Sequence, residues 1–160
     1  MASLQLVTAV GAPIPERREH LDLLATRLEP LARNLVVLRG MGIKQRRAVA
    51  EQLASIPDDE ERVLVATGRY LGEGFDDARL DTLFLTMPIS WKGTLAHYAG
   101  RLHRLHDHKT EVLIYDYADL EVPMLARMHG KRVKGYEAIG YRVERESDPQ
   151  AEQPRARWSQ

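Results

Sequence analysis

The 160 residues contain no cysteine. That removes disulfides, thiolate metal sites and cysteine nucleophiles in one step. No apolar run approaches the roughly 20 residues that a membrane-spanning helix needs. The opening MASLQLVTAVGAP has no basic segment ahead of its apolar stretch, which argues against a secretory signal. A cytoplasmic protein with no membrane partner is therefore expected. An excess of one charge is missing too: Lys plus Arg and Asp plus Glu both count 23, so the net charge does not advertise a polyanion partner.

Two phosphate-handling motifs are also absent. A P-loop requires G-x-x-x-x-G-K-[ST] after a strand, and the one Gly-Lys pair, Gly130 with Lys131, is followed by Arg132. No apolar strand ends in Asp-Glu to hold magnesium, because the acidic run Asp58, Asp59, Glu60 and Glu61 sits in a turn.

What is present is a globular composition, 44% hydrophobic and 29% charged, at a length that fits one domain and not a two-domain machine. Leu4 to Val10 reads as a strand. The run ERREHLDLLATRLEPLA reads as a helix with Leu21, Leu24, Ala25, Leu28, Leu31 and Ala32 on its buried face. NLVVLRGMG and RVLVAT are continuously apolar, as strands buried on both faces are, and between them KQRRAVAEQLASI is helical, with Val49, Leu53 and Ile56 in one stripe. TLFLTMP and EVLIYDY give two more strands. The helix WKGTLAHYAGRLHRL between them has Trp91, Leu95, Tyr98, Ala99 and Leu102 in register. A last helix is expected from about Pro123 to Lys134. Strands alternating with helices argue an α/β domain with a mainly parallel sheet covered on both faces. The polar, aperiodic stretch 146–160 reads as a disordered tail, which leaves residues 1–145 as the domain.

Ligands of open parallel sheets bind beyond the carboxyl ends of the strands. Thr67 ends RVLVAT, and Gly72, Gly74, Asp76 and Asp77 follow it. Glycines there permit close backbone approach and an aspartate can accept from a sugar hydroxyl, but a plain glycine turn with a capping aspartate has the same composition.

In HYAGRLHR, His97, Gly100, Arg101 and Arg104 recur at i, i+3, i+4 and i+7, so one helix face carries a histidine, a glycine and two guanidiniums. Arginine grips phosphate bidentately and keeps its charge in any environment. A solvated face with ion pairs is the competing account. The glycine, which costs roughly 1 kcal/mol inside a helix, points to something packed closely there. Base also collects at Lys92 and Lys109 beside these arginines, and at Arg127, Lys131, Arg132 and Lys134, so a local basic surface is expected. His103, His106, His108 and His129 invite a metal reading that the single nearby acid, Asp107, argues against; no metal site is expected.

VLVATGRYLGEGFDDARLDTLFLTMP and HYAGRLHR, in that order, resemble motifs V and VI of the C-terminal RecA-like domain of superfamily 2 helicases and translocases, especially the DEAD/DEAH-type and restriction-associated members. The resemblance spans about Leu35 to Tyr117. It implies a three-layer RecA-like domain. It also implies that Arg101 and Arg104 act as arginine fingers, that His97, Gly74 and Asp76 bind ATP, and that Thr67 contacts a nucleic-acid phosphate. ATP with Mg²⁺ would be held mainly by an N-terminal RecA-like partner domain, and DNA, or RNA, would be the track. ATP hydrolysis by this chain alone is not expected. A stand-alone nucleic-acid-binding or regulatory domain without motor activity is the alternative.

Overall fold

The computed structural model describes residues 4–9, 16–38, 42–67, 77–86, 95–107, 109–144 and 155–159. Seven strands form one sheet: β1 (Leu4–Ala9), β2 (Leu35–Leu38), β3 (Arg62–Thr67), β4 (Leu80–Leu85), β5 (Glu111–Asp116), β6 (Arg142–Glu144) and β7 (Arg155–Ser159). Their order is β2-β3-β1-β4-β5-β7-β6. The first five are parallel, and β7 and β6 close the sheet antiparallel. The described helices are α1 (Glu16–Leu28), α2 (Ile43–Ser55), α3 (Ala96–Leu102) and α4 (Pro123–Ala138). None is long and apolar enough to cross a membrane.

Alternation along the strands divides the core in two, because successive side chains point to opposite faces. Leu64 and Ala66 of β3 and Val36 and Leu38 of β2 join Val49 and Leu53 of α2, Leu95, Tyr98, Ala99 and Leu102 at α3, and Tyr136 of α4. Val63 and Val65 turn the other way, where Leu21 of α1 covers them and Leu24, Leu28 and Ala32 pack alongside. The expected α/β architecture, a mainly parallel sheet with helices on both faces, is present.

Three expectations about individual elements are corrected. The first helix stops at Leu28 instead of running through Ala32, since Pro30 has no N–H to continue the ladder and disfavours helical geometry at Glu29. Leu31 is consequently 78% exposed and not on the buried face. The last helix runs past Lys134 to Ala138. Its stop signal is Gly140, at φ 94: the Gly140 N–H donates to the Glu137 carbonyl at 3.1 Å and the Tyr141 N–H to the Tyr136 carbonyl at 3.0 Å. That is the paired bonding of a left-handed glycine cap. Finally, residues 155–159, expected within a disordered tail, form β7, and Val112 pairs with Trp158 and Ile114 with Ala156.

Candidate functional site

Within the described residues the helix that carries the HYAGRLHR face spans Ala96–Leu102, seven residues, about 10 Å at 1.5 Å per residue. Its orientation is fixed from inside. Leu95, Tyr98, Ala99 and Leu102, at i, i+3, i+4 and i+7, are each 1% exposed or less. The residues one position round the helix, His97, Gly100 and Arg104, are exposed, and Arg101 is half-buried. His97 and Arg101 thus lie on α3 away from its buried stripe, and Arg104 follows just past the helix end. Burial pushes the Tyr98 phenol up to about 12, with the positive charge of Arg101 pulling the other way.

The inference from the glycine does not survive. A Cβ built on Gly100 meets nothing within 4 Å, so no neighbour among the described residues requires a glycine there.

The C-terminal end of α3 is fastened by a residue counted, from sequence, only as part of a basic surface. Lys109 is 8% exposed. Its Nζ donates to the Leu102 carbonyl at 2.9 Å and the Arg104 carbonyl at 2.8 Å. The Leu102 carbonyl is one that a helix end leaves unsatisfied, the Arg104 carbonyl lies just past the C-cap, and a cation there also opposes the negative end of the helix dipole. Burial lowers the Lys109 pKa, while Asp81 and Asp77 act through space to raise it. His103, the C-cap of α3, lies edge-on to Tyr141 with ring centroids 5.3 Å apart. Burial, and then the charge of Lys109, hold its imidazole below the ordinary histidine pKa.

Arg132 likewise leaves the expected basic surface. It is 1% exposed and forks onto Asp116 at the end of β5, Nε to Oδ2 at 2.7 Å and Nη2 to Oδ1 at 2.7 Å. The Tyr136 hydroxyl donates to the same Oδ2 at 3.0 Å. Burial, followed by the Asp116 charge, drives the Tyr136 pKa upward. Asp116 closes an apolar strand, and Arg132 and Tyr136 stand four residues apart on one face of α4; that pattern was the available signal.

Thr67 ends β3 at the carboxyl edge of the sheet, half-buried. β4, parallel to β5, delivers the chain to that same edge. α3 then leads back toward the amino edge, so that its last turn, with Arg101, and Arg104 just beyond it are tied to Lys109 two residues before β5 begins, at the edge opposite Thr67. Gly74 and Asp76 lie outside the described residues, as do Gly72, Trp91 and His108. Asp77, next in line, is committed elsewhere. It accepts from Arg79 Nε at 2.9 Å and Nη2 at 2.7 Å and from the Arg79 N–H at 3.0 Å, while Arg79 Nη1 reaches Asp58 at 2.9 Å. Among the described residues no group of three or more histidine, cysteine or acidic side chains is placed to hold a metal. His129 is buried in α4.

No protein-family model matches the chain. It is 35% identical over 83 residues to uncharacterized protein 108L of Invertebrate iridescent virus 3, covering 52% of this chain and 75% of that one. The chain belongs to that protein's family. Over 149 residues it is 29% identical to transcript termination protein OPG145 of Variola virus and 28% identical to transcript termination protein A18 of Cowpox virus. Each of these alignments covers 85% of this chain but only 29% of the viral protein, so the chain spans less than a third of the length of those relatives. Among solved structures, a putative methyltransferase from Pseudomonas syringae overlays with a TM-score of 0.41 at 12% identity, covering 99% of this chain and 88% of that one. That overlay carries no functional argument.

These findings correct the resemblance to the C-terminal RecA-like domain of superfamily 2 helicases. No model of that or any other family matches, and the relatives found are transcript termination proteins and an uncharacterized protein. The physical reason is that the resemblance rested on two short windows. A glycine-rich loop after a strand and two arginines on one helix face suit many α/β domains.

Proposed function

We propose that the chain is a nucleic-acid-associated module and that it supplies Arg101 and Arg104 to phosphate chemistry completed by another domain. A role with nucleic acid is what the similarity to two viral transcript termination proteins supports. The observation that carries the finer reading is the α3 segment. Three residues able to meet phosphate, His97 and Arg101 on α3 and Arg104 just past its C-cap, belong to one segment whose inner face is sealed and whose end is fastened by Lys109.

In this reading ATP with Mg²⁺ is held mainly by an ATP-binding partner domain, because the sequence has neither a P-loop nor an Asp-Glu strand end. His97, Gly74 and Asp76 approach that nucleotide, and Thr67 touches a phosphate of the DNA or RNA track. Arginine fits the task because its planar fork meets two phosphate oxygens at once and its charge is present before the transition state forms.

The test is ATP turnover by the chain alone and by the chain assembled with its ATP-binding domain, with nucleic acid present. The chain alone is expected to be inactive. Arg101→Ala in the assembled protein is expected to lower turnover by about 10³- to 10⁵-fold, the range for an arginine finger, with little change in ATP affinity. Unchanged turnover refutes the role. Salt-sensitive, ATP-independent nucleic-acid binding with no turnover in any assembly would favour a stand-alone binding domain instead.

A further inference from the structure

We infer that Lys109 is a positioning residue: through the main chain of α3 it sets where the Arg101 and Arg104 guanidiniums stand. The inference rests on the reading of those arginines given above.

The last carbonyls of a helix have no partners within it. α3 has an ordered inner face, but the residues that matter for phosphate lie in and just past its final turn. Arg101 is the penultimate helical residue, and Arg104 follows the C-cap His103. At that point the backbone would fray. The Lys109 ammonium instead bridges the carbonyl of Leu102, between the two arginines in sequence, and the carbonyl of Arg104 itself.

Lys109 is well anchored for this. It stands two residues before β5, its own N–H donates to the His106 carbonyl at 2.9 Å, and its side chain is buried. Taking an ammonium out of water is costly unless its protons are used. Burial works against the charge, yet the ammonium is held by two main-chain carbonyls, those of Leu102 and Arg104. A residue chosen only to fill that space would be apolar. The ammonium makes the end of α3 part of the sheet's frame, so the two guanidiniums project from a fixed base.

The experiment compares Lys109→Met, Lys109→Arg and Arg101→Ala in the chain assembled with its ATP-binding domain. Turnover, KM for ATP, and the folded fraction by circular dichroism are measured on the same samples. Methionine keeps the volume and removes the donors; arginine keeps the charge and donors. Lys109→Met is expected to lower kcat by about 10- to 100-fold, the scale of a small misplacement of a reacting group. KM should stay within about twofold while most of the protein remains folded. Lys109→Arg is expected to recover most of the loss. If Arg101→Ala abolishes turnover but Lys109→Met does not lower it, the positioning role is wrong and the arginine reading stands. If kcat falls only in proportion to the folded fraction, Lys109 is a stability residue and the inference is overturned. If Arg101→Ala itself has no effect, the arginine reading fails and the inference falls with it. Should Lys109→Met not fold, Lys109→Gln, which keeps one donor group without charge, is measured against the same three outcomes.

Discussion

Replacing Asp116 with asparagine tests the strongest polar contact in the described structure. The carboxylate takes both prongs of the Arg132 guanidinium at 2.7 Å and the Tyr136 hydroxyl at 3.0 Å, with side-chain exposures of 3% for Asp116 and 1% for Arg132. Asparagine has nearly the same shape, so packing is preserved while the negative charge is removed. Arg132 is then a buried cation without its counter-charge, a situation that costs about 3 to 5 kcal/mol. For a domain of this size roughly 2 to 4 °C of melting temperature corresponds to each kcal/mol, so Tm should drop by about 6 to 20 °C. Urea unfolding followed by circular dichroism reads the same loss as a lower midpoint at unchanged slope. The companion variant replaces both partners, Asp116→Leu with Arg132→Met. Removing the whole pair also removes its desolvation, so the double variant should be markedly more stable than Asp116→Asn. The reasoning is refuted if Asp116→Asn costs less than about 1 kcal/mol, or if the losses from single substitutions simply add, since contacting residues should couple.

Two further perturbations follow from the structure. Gly140→Ala places a Cβ at a residue held at φ 94. It should cost about 1 to 2 kcal/mol, the left-handed penalty, visible in thermal melting; an unchanged Tm would mean that Gly140 does not need that conformation. Asp77 is held below the ordinary carboxyl pKa: burial opposes the shift, and the hydrogen bonds and charge of Arg79 outweigh it. Because the folded pKa is the lower one, its contribution is fully present above pH 3.8, the ordinary value, and is lost as pH falls from there through the folded pKa. Asp77→Asn should therefore flatten the acid limb of stability against pH, and an identical limb in the variant would refute the assignment.

The sheet was legible in the sequence where burial is two-sided. LVVL and RVLVAT are apolar at every position because neighbouring residues feed opposite cores, as Val63 and Leu64 do. β7 was not legible. RARWS has neither an apolar run nor alternation strong enough to stand out, and its strand geometry comes from pairing with β5, some 40 residues earlier in sequence. The charged residues divide the same way. Nothing local separates Arg132 from Lys131, yet one is 1% exposed and forked onto Asp116 while its neighbour is exposed. Which cation is buried depends on which helix position faces the end of β5, a tertiary fact. Lys109 is similar: its partners are carbonyls, and backbone acceptors leave no trace in composition.

The glycine beside the arginines shows how far a local inference reaches. Glycine in a helix interior is unfavourable and so suggests close packing, but the described structure leaves open space at Gly100. With the packing argument gone, the case for α3 rests on a different pair of facts. Its inner face is sealed by Leu95, Tyr98, Ala99 and Leu102, which leaves Arg101 half-buried and Arg104 exposed. Its end is bound by a buried lysine, whose Nζ donates to the Leu102 and Arg104 carbonyls, and the proposed positioning of the arginines rests on that bond pair. A merely solvated charged face needs neither, since mobile surface ion pairs contribute little in any geometry. A phosphate site needs both, because the benefit of a preformed guanidinium pair comes from its already being in place when charge develops. On the proposed reading, Gly100 is open space beside Arg101, a position where a ligand would meet backbone instead of a side chain.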